Sequence, residues 1–337
     1  MISLVTTVLN DRVGCIDFFE QMQVQTLLPD EIVIVDGGSQ DGTWELLQAQ
    51  AKQLPNLKVF QEKGCNVARG RNLAVRAAKH DLIVSTDIGC RWDREWLEEL
   101  VQPMLKDPEV EAVMGSWRVS WSDQKTPWAQ ADPLLLGGLE FRATPQSHAS
   151  SRSIAYRKSF YLGLGGLPED LTLAADDMVL ALLIQRSGKR LEASPEPRCQ
   201  WLRPQTLTAI SKEARRNFRG AGEAGIWLNY FVSNVLRFTA ETIALMGFLI
   251  ALVIVSDLLK FVFGVMLLLL FLLRLRNWLR HYMSVKERGG IVGLWHVAIL
   301  DISTRWSAIN GYWEGLLRGK TQCQETRQKL RGAGIGW

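Results

Sequence analysis

Cysteine is scarce in this chain: five in 337 residues, Cys15, Cys65, Cys90, Cys199 and Cys323, with no C-x-x-C pair. An odd set without paired spacing suggests neither a disulfide framework nor a structural zinc site, and it fits a reducing cytosol. Excess charge is scarce too. The net charge is only +4, which argues against a nucleic-acid partner but suits an anionic membrane surface or a phosphate-bearing substrate. The opening Met1-Ile2-Ser3-Leu4-Val5 lacks a basic n-region and a small-residue cleavage site, so no secretory signal peptide is expected. No internal repeat or low-complexity tract breaks the sequence.

What is present is apolar and ordered, with 47% hydrophobic residues, ample for a core. Up to about residue 115, β-branched runs alternate with helical patterns. The strand candidates are Ile2–Leu9, Ile32–Val35, Leu57–Phe60, Leu82–Thr86 and Val110–Met114. This alternation predicts an α/β fold with a mostly parallel sheet covered by helices. From 116 to about 205 the rhythm is lost among Gly, Pro and Ser clusters, apart from a helix-like stretch at 177–187. Irregular segments of that kind commonly carry substrate contacts.

Composition then changes abruptly. Phe238 to Leu273 is 36 residues with only Glu241, Asp257 and Lys260 charged, in uncharged runs of 15 and 13 residues. As one straight helix it would be about 54 Å long, against a hydrocarbon core of roughly 30 Å. Arg215, Arg216, Arg219 and Arg237 precede it, and Arg274, Arg276, Arg280, Lys286 and Arg288 follow it. Positive flanks on both sides predict a hairpin that enters and leaves on the cytoplasmic side, turning at Asp257–Lys260. A buried hairpin in a soluble core is the alternative. The segment Ile291 to Leu317 is amphipathic, with Trp295, Trp306, Tyr312 and Trp313 among Asp301 and Arg305. It reads as an interfacial or membrane helix pair, or as a helix lying on the soluble domain. The basic tail after Arg318 is expected to fray. The expected divisions are therefore 1–230, a membrane-associated helical region at 231–318, and a tail at 319–337.

Four segments carry candidate chemistry. In IVIVDGGSQDGT, Ile32 to Thr43, a buried strand delivers Asp36 to its carboxyl end, and Gly37 and Gly38 allow close backbone approach by a ligand. In LIVSTDIGC, Leu82 to Cys90, a second strand ends on Asp87, which can sit beside a ribose or hold a divalent ion on a diphosphate. In GLGGLPEDLTLAADD, Gly163 to Asp177, a Gly-rich turn leads to two acids that open a helix. Such acids serve as helix caps, or as a general base toward a sugar hydroxyl. In KEARRNFRG, Lys212 to Gly220, helical spacing puts Arg215 and Arg219 on one face. They suit diphosphate oxygens, or equally a headgroup-facing basic surface.

Taken in order, VDGGSQDGT, ARGRNLAVRAA, STDIGC, SSRSIAYRKSFYLGLGG, AADD and RRNFRGAGEAG resemble the family 2 inverting glycosyltransferases of GT-A fold, in particular membrane-anchored bacterial members. The likeness spans roughly residues 2–230. It implies a sugar moved from a nucleotide-diphospho-sugar, a UDP-sugar first and a GDP-sugar second, to a lipid or lipid-linked acceptor at the cytosolic face of the inner membrane. It implies Asp36 at the base or ribose and Asp87 as the first acid of the D-x-D motif, holding Mg²⁺ or Mn²⁺. Asp177 would be the catalytic base, with Asp176 beside it on the donor side, and Arg215, Arg216 and Arg219 would bind the leaving diphosphate. Gly89 stands where the second acid of D-x-D belongs. No Q-x-x-R-W box is present, which disfavours a processive synthase. A nucleotide-sugar-forming nucleotidyltransferase is disfavoured by the missing Gly-rich, Arg/Lys-containing phosphate loop in Ile2–Gly14. A catalytically inactive nucleotide-sugar-binding scaffold is the reading that the eroded D-x-D suggests.

Overall fold

The computed structural model describes residues 1–335 apart from Leu136 and Leu173, and the side chain of Leu134 is not described. Leu173, inside the Gly163–Asp177 motif, and the last two residues of the tail therefore lie outside the described residues. By contact the chain divides into two compact units. A sheet unit comprises Met1–Asp123, Leu139–Arg203 and the chain from Leu317 onward, and a helical unit comprises Gln124–Gly138 and Pro204–Leu316. These units cut the chain differently from the expected divisions: the arginine helix goes with the helical unit, and the tail returns to the sheet.

The sheet unit is built on β1 (Ile2–Val8), β2 (Glu31–Asp36), β3 (Leu57–Gln61) and β4 (Leu82–Ser85), paired in parallel in the order β3-β2-β1-β4. β1, β2 and β4 are buried on both faces, as parallel strands under helices require, while the edge strand β3 buries only Leu57. Leu4, Ile34 and Val84 join a core with α1 (Arg12–Met22) and α4 (Trp96–Lys106). Val5, Val33 and Ile83 join a second core with α3 (Val67–Ala77) and α7 (Asp176–Arg186). A further helix, α2 (Thr43–Gln53), links β2 to β3.

Beyond β4 the sheet is mixed. β8 (Ile154–Arg157) is antiparallel to both β4 and β6 (Val110–Arg118), and β6 runs parallel to β9 (Arg190–Trp201). Short strands β5 (Cys90–Trp92) and β7 (Glu140–Phe141) add antiparallel pairs to β9 and β6. The expectation of a mostly parallel sheet holds for the first four strands. It misses the segment after 116 because that segment's strands return without crossover helices and carry little alternation. Short α6 (Lys158–Gly163) leads from β8 into the Gly-rich turn.

The helical unit holds α5 (Pro127–Leu135), α8 (Leu207–Ala224), α9 (Leu228–Val253), α10 (Asp257–Glu287) and most of α11 (Leu294–Gln322). Helices α9 and α10 are long and apolar enough to cross a membrane, and their most apolar windows are only 11% and 6% buried. They form the expected hairpin, but its turn lies at residues 254–256 and not at Asp257–Lys260. Asp257 instead opens α10, paired with Lys260 at 3.0 Å. At the other end Arg274 of α10 is buried in a bidentate pair with Glu241 of α9, at 2.6 and 2.8 Å, and donates to Asp301 of α11 at 3.1 Å. Asp301 also accepts from Trp278 at 3.0 Å and from Arg305 at 2.6 Å. The amphipathic segment, expected as a helix pair or as a helix lying on the soluble domain, is the single helix α11.

Small residues set how α8 meets α11. A Cβ on Gly311 would lie 2.1 Å from the Arg215 carbonyl oxygen, one on Gly315 2.0 Å from that of Arg219, and one on Gly222 2.3 Å from that of Tyr312. These glycines let the two backbones touch, a contact that any larger side chain would prevent. The tail, expected to fray, forms α12 (Gln324–Gly332) in the sheet unit, because Cys323, Thr326 and Leu330 are buried there.

Candidate active site

Asp36 ends β2 with its carboxylate fully buried. It accepts from the Gly38 and Ser39 amides at 3.0 Å each, from the Ser39 hydroxyl, and from Gln61 at 2.9 Å. Gly38 adopts φ +100°, a left-handed conformation open to glycine, which is what lets the turn fold back on the carboxylate. Both Asp36 oxygens thus shape the 37–39 loop at the carboxyl edge of the parallel strands, where ligands of open α/β sheets bind.

The centre of the site is Arg71, on α3. Its side chain is 4% exposed, its Nη2 lies 2.5 Å from Asp87 Oδ1, and its Nη1 lies 3.7 Å from Asp176 Oδ2. Burial works against the guanidinium charge, but Asp87 and then Asp176 more than offset it and hold Arg71 above its ordinary range. Asp176 shows the converse. Burial, then the neighbouring Asp177, push its carboxyl up to about 6, while Arg71 pulls the other way. Asp176 Oδ2 and Arg71 Nε have no hydrogen-bond partner among the described residues. Orphaned buried polar atoms are rare in folded proteins and mark strain or function. Asp177, half-buried, lines a small cleft with Arg71, Ser85, Ser151, Tyr156 and Tyr161. The two tyrosine rings stack at 4.7 Å.

The loop before these acids is held by α3. Asn66 donates to the Glu169 and Leu171 carbonyls at 2.9 and 2.8 Å, and Asn72 donates to the Leu167 carbonyl at 2.9 Å and accepts from the Leu167 amide at 3.0 Å. A Cβ at Gly166 would lie 2.6 Å from Asn72 Oδ1, so the loop passes as closely as the chain allows. Ala175, immediately before Asp176, has φ +68°, a conformation that costs a non-glycine residue of order 1 kcal/mol or more. Strain is therefore stored at the start of α7. Sequence reasoning quoted the ARGRN stretch but gave Asn66, Arg71 and Asn72 no role. The signal was available: Ala68, Arg71, Asn72 and Val75 recur at i, i+3, i+4 and i+7, so an arginine and an asparagine fall inside the apolar stripe of a helix.

The structure brings Asp87, Asp176 and Asp177 around Arg71 and puts Asp36 at the end of β2, separated from β4 by β1. The α8 arginines belong to the helical unit. Arg215 pairs with Glu314 of α11, and Arg219 lies 3.2 Å from the buried Glu223. Arg216 is exposed and makes no ion pair among the described residues. Arg152, in the segment quoted as SSRSIAYRKSFYLGLGG, stacks 3.7 Å over Trp201 while its carbonyl accepts from Thr86 at 2.7 Å.

Residues 3–163 match the sequence profile of Glycosyl transferase family 2. The chain is a glycosyltransferase with a family 2 domain over that segment. It is 27% identical over 252 residues to an O-antigen chain rhamnosyltransferase of Salmonella typhimurium, covering 65% of this chain and 75% of that one. It is 25% identical over 253 residues to another from Salmonella anatum, covering 66% and 75%. The solved mannosyltransferase PcManGT of Pyrobaculum calidifontis, in complex with GDP-Man and Mn²⁺, shares the GT-A fold with it. That likeness has a TM-score of 0.53 at 18% identity, over 95% of this chain and 87% of that chain.

The donor set for a divalent ion is thin. Asp87 is 37% exposed at its strand end with one oxygen on Arg71, and no group of three His, Cys, Asp or Glu side chains converges among the described residues. A Cβ at Gly89 would meet nothing within 4 Å, so there is room beside Asp87. One hard carboxylate and open space fit a cation that takes most of its oxygens from a phosphate-bearing ligand.

Proposed function

We propose that this glycosyltransferase moves one sugar, with inversion, from a nucleotide-diphospho-sugar to a hydroxyl of a lipid or lipid-linked acceptor. The reaction takes place at the cytosolic face of the inner membrane. The observation that carries the reading is the Arg71 cluster: a buried cation tied to Asp87 at a strand end and set against Asp176, with Asp177 on the wall of the same cleft. Asp177 is assigned the acceptor proton, because it is open to the cleft while Asp176 is buried against Arg71. Asp36 acts at the nucleoside end through the loop it shapes. Asp87 and Asp176 serve the donor, and Arg215, Arg216 and Arg219 are assigned to the leaving diphosphate from the family resemblance alone.

Mg²⁺ or Mn²⁺, held by Asp87 and the donor's own phosphates, would offset the charge of the departing diphosphate. EDTA is then expected to stop turnover, with recovery needing metal well above the protein concentration. Full activity in EDTA, with collapse in Arg215→Ala or Arg219→Ala, overturns that assignment in favour of the arginines. The exposed α9–α10 hairpin supports a lipid acceptor, since an enzyme and substrate confined to one surface meet at a raised effective concentration.

The test is a panel of UDP- and GDP-sugars, with a nucleotide-activated rhamnose added because two relatives are rhamnosyltransferases. Purified protein is assayed with and without a bacterial lipid extract. The expected result is slow sugar release without lipid and transfer of label to the lipid phase with it, the new linkage having the opposite anomeric configuration by NMR. Pyrophosphate exchange would indicate a nucleotidyltransferase instead. Binding without turnover across the panel would indicate a scaffold.

A further inference from the structure

The chain returns to the sheet unit at Leu317, and the returning segment closes on one short loop. Arg318 Nη1 and Cys323 Sγ donate to the Asp170 carbonyl at 3.3 and 3.1 Å. The Thr326 amide donates to Asp170 Oδ2 at 3.1 Å, and the Thr326 hydroxyl donates to Oδ1. Lys329 Nζ donates to the Gly166 carbonyl at 3.1 Å. Cys323 and Thr326 are at most 1% exposed, and burial lowers the Lys329 pKa against the pull of Glu325 and Asp170. Helix α12 has no side-chain cap from its own Cys323. Asp170 supplies it from the loop, a carboxylate at a helix N-terminus accepting the third amide. A nine-residue helix is marginal by itself, so α12 and the loop order one another.

The loop they grip is the one that α3 holds from its other side through Asn66 and Asn72, and it ends in the strained Ala175 and the Asp176-Asp177 pair. These contacts hold residues 166–171, a few residues before the start of α7. We infer that α12 is a clasp in which Thr326 and Lys329 are positioning residues. They set the 164–175 loop and thereby the direction of Asp177, so the segment following the membrane-type helices completes the catalytic unit. The inference rests on Asp177 being the base. It also means that a chain ended at residue 230 lacks the clasp as well as the anchor.

The experiment compares full-length Thr326→Val, Lys329→Met and the conservative Thr326→Ser with the parent. Readouts are hydrogen exchange of the 164–175 amides, donor affinity by calorimetry, and separate kcat and KM. In Thr326→Val and Lys329→Met, exchange at 166–171 is expected to rise at least about tenfold. In both, kcat should fall by about 10- to 100-fold, the scale of a small misplacement of a reacting group, with donor affinity within about twofold. Thr326→Ser should restore both. Should either of the two clasp variants misfold by thermal melting, the other carries the test, since each removes a different contact. Parental exchange in both variants overturns the clasp. Loosened exchange with parental kcat overturns the positioning role while leaving the clasp. Normal turnover in Asp177→Asn defeats the base assignment and with it the positioning role, whatever the exchange data show.

Discussion

Helices α3 and α8 each carry three arginines, yet of the six only Arg71 is buried. Arg69 and Arg76 sit on the rim of α3 with Glu62 and Glu169. Arg215 and Arg219 answer to glutamates beside them, with side chains 54% and 39% exposed. Arg71 lies in the stripe where its neighbours are Ala68, Ala74 and Val75, and only 4% of its side chain is exposed. A guanidinium in that position must find carboxylates inside the protein or cost several kcal/mol. It finds two, on different elements, and so fixes the end of β4 against the start of α7. An exposed arginine binds what arrives; a buried one decides where other groups stand.

Arg71→Met gives the largest expected effect. Removing one partner of a buried ionic cluster costs about 3–5 kcal/mol, and transfer should be lost with it. Arg216→Met should change stability by no more than about 0.5 kcal/mol. Denaturant unfolding of both in detergent checks this, and equal losses would break the contrast. Next comes Asp177→Asn, expected to lower kcat by roughly 10²–10⁴-fold with donor affinity intact by calorimetry. A small effect would move the base to another group.

The third prediction uses Asp176, raised from 3.8 to about 6 chiefly by burial, then by Asp177. An acid whose folded pKa exceeds its unfolded one binds more protons when folded between the two values. Unfolding free energy therefore falls as pH rises from about 4 to 6 and stays lower above that. Asp176→Asn removes this slope, so unfolding midpoints measured from pH 4 to 7 should favour the variant increasingly over the parent. Parallel curves would mean that Asp176 titrates normally. Smallest is Arg215→Ala combined with Arg219→Ala. Affinity for nucleoside diphosphate should fall about 5- to 10-fold, as for lost charged hydrogen bonds of about 1 kcal/mol or more, and more steeply at low salt. Unchanged affinity would detach these arginines from the donor.

The first four strands, Asp36, Asp87 and the Asp176-Asp177 pair at a helix start were legible in the sequence, because a β-branched run ending in an acid and a Gly-rich turn before a helix are local patterns. The antiparallel strands after 116 were not, since β8 is four residues long and gains its place only by pairing with β4 and β6. Arg71 was visible as a letter and invisible as a role, because its meaning depends on carboxylates 16 and 105 positions away. The tail misled for the same reason. Its residues are polar and basic, and what orders them is Asp170, more than 150 positions earlier.

The pairing of Arg274 with Glu241 bears on how the hairpin is made. Glu241 emerges from the ribosome 33 residues before Arg274, and Asp301 follows 27 residues after it. The two arms together hold one full positive and one full negative charge in bidentate contact, and α11 adds Asp301 beside them. A nascent hairpin can enter a bilayer as an electrically neutral package, with its arginine matched from within. The later arrival of Asp301 and Arg305 adds a second, equally balanced pair.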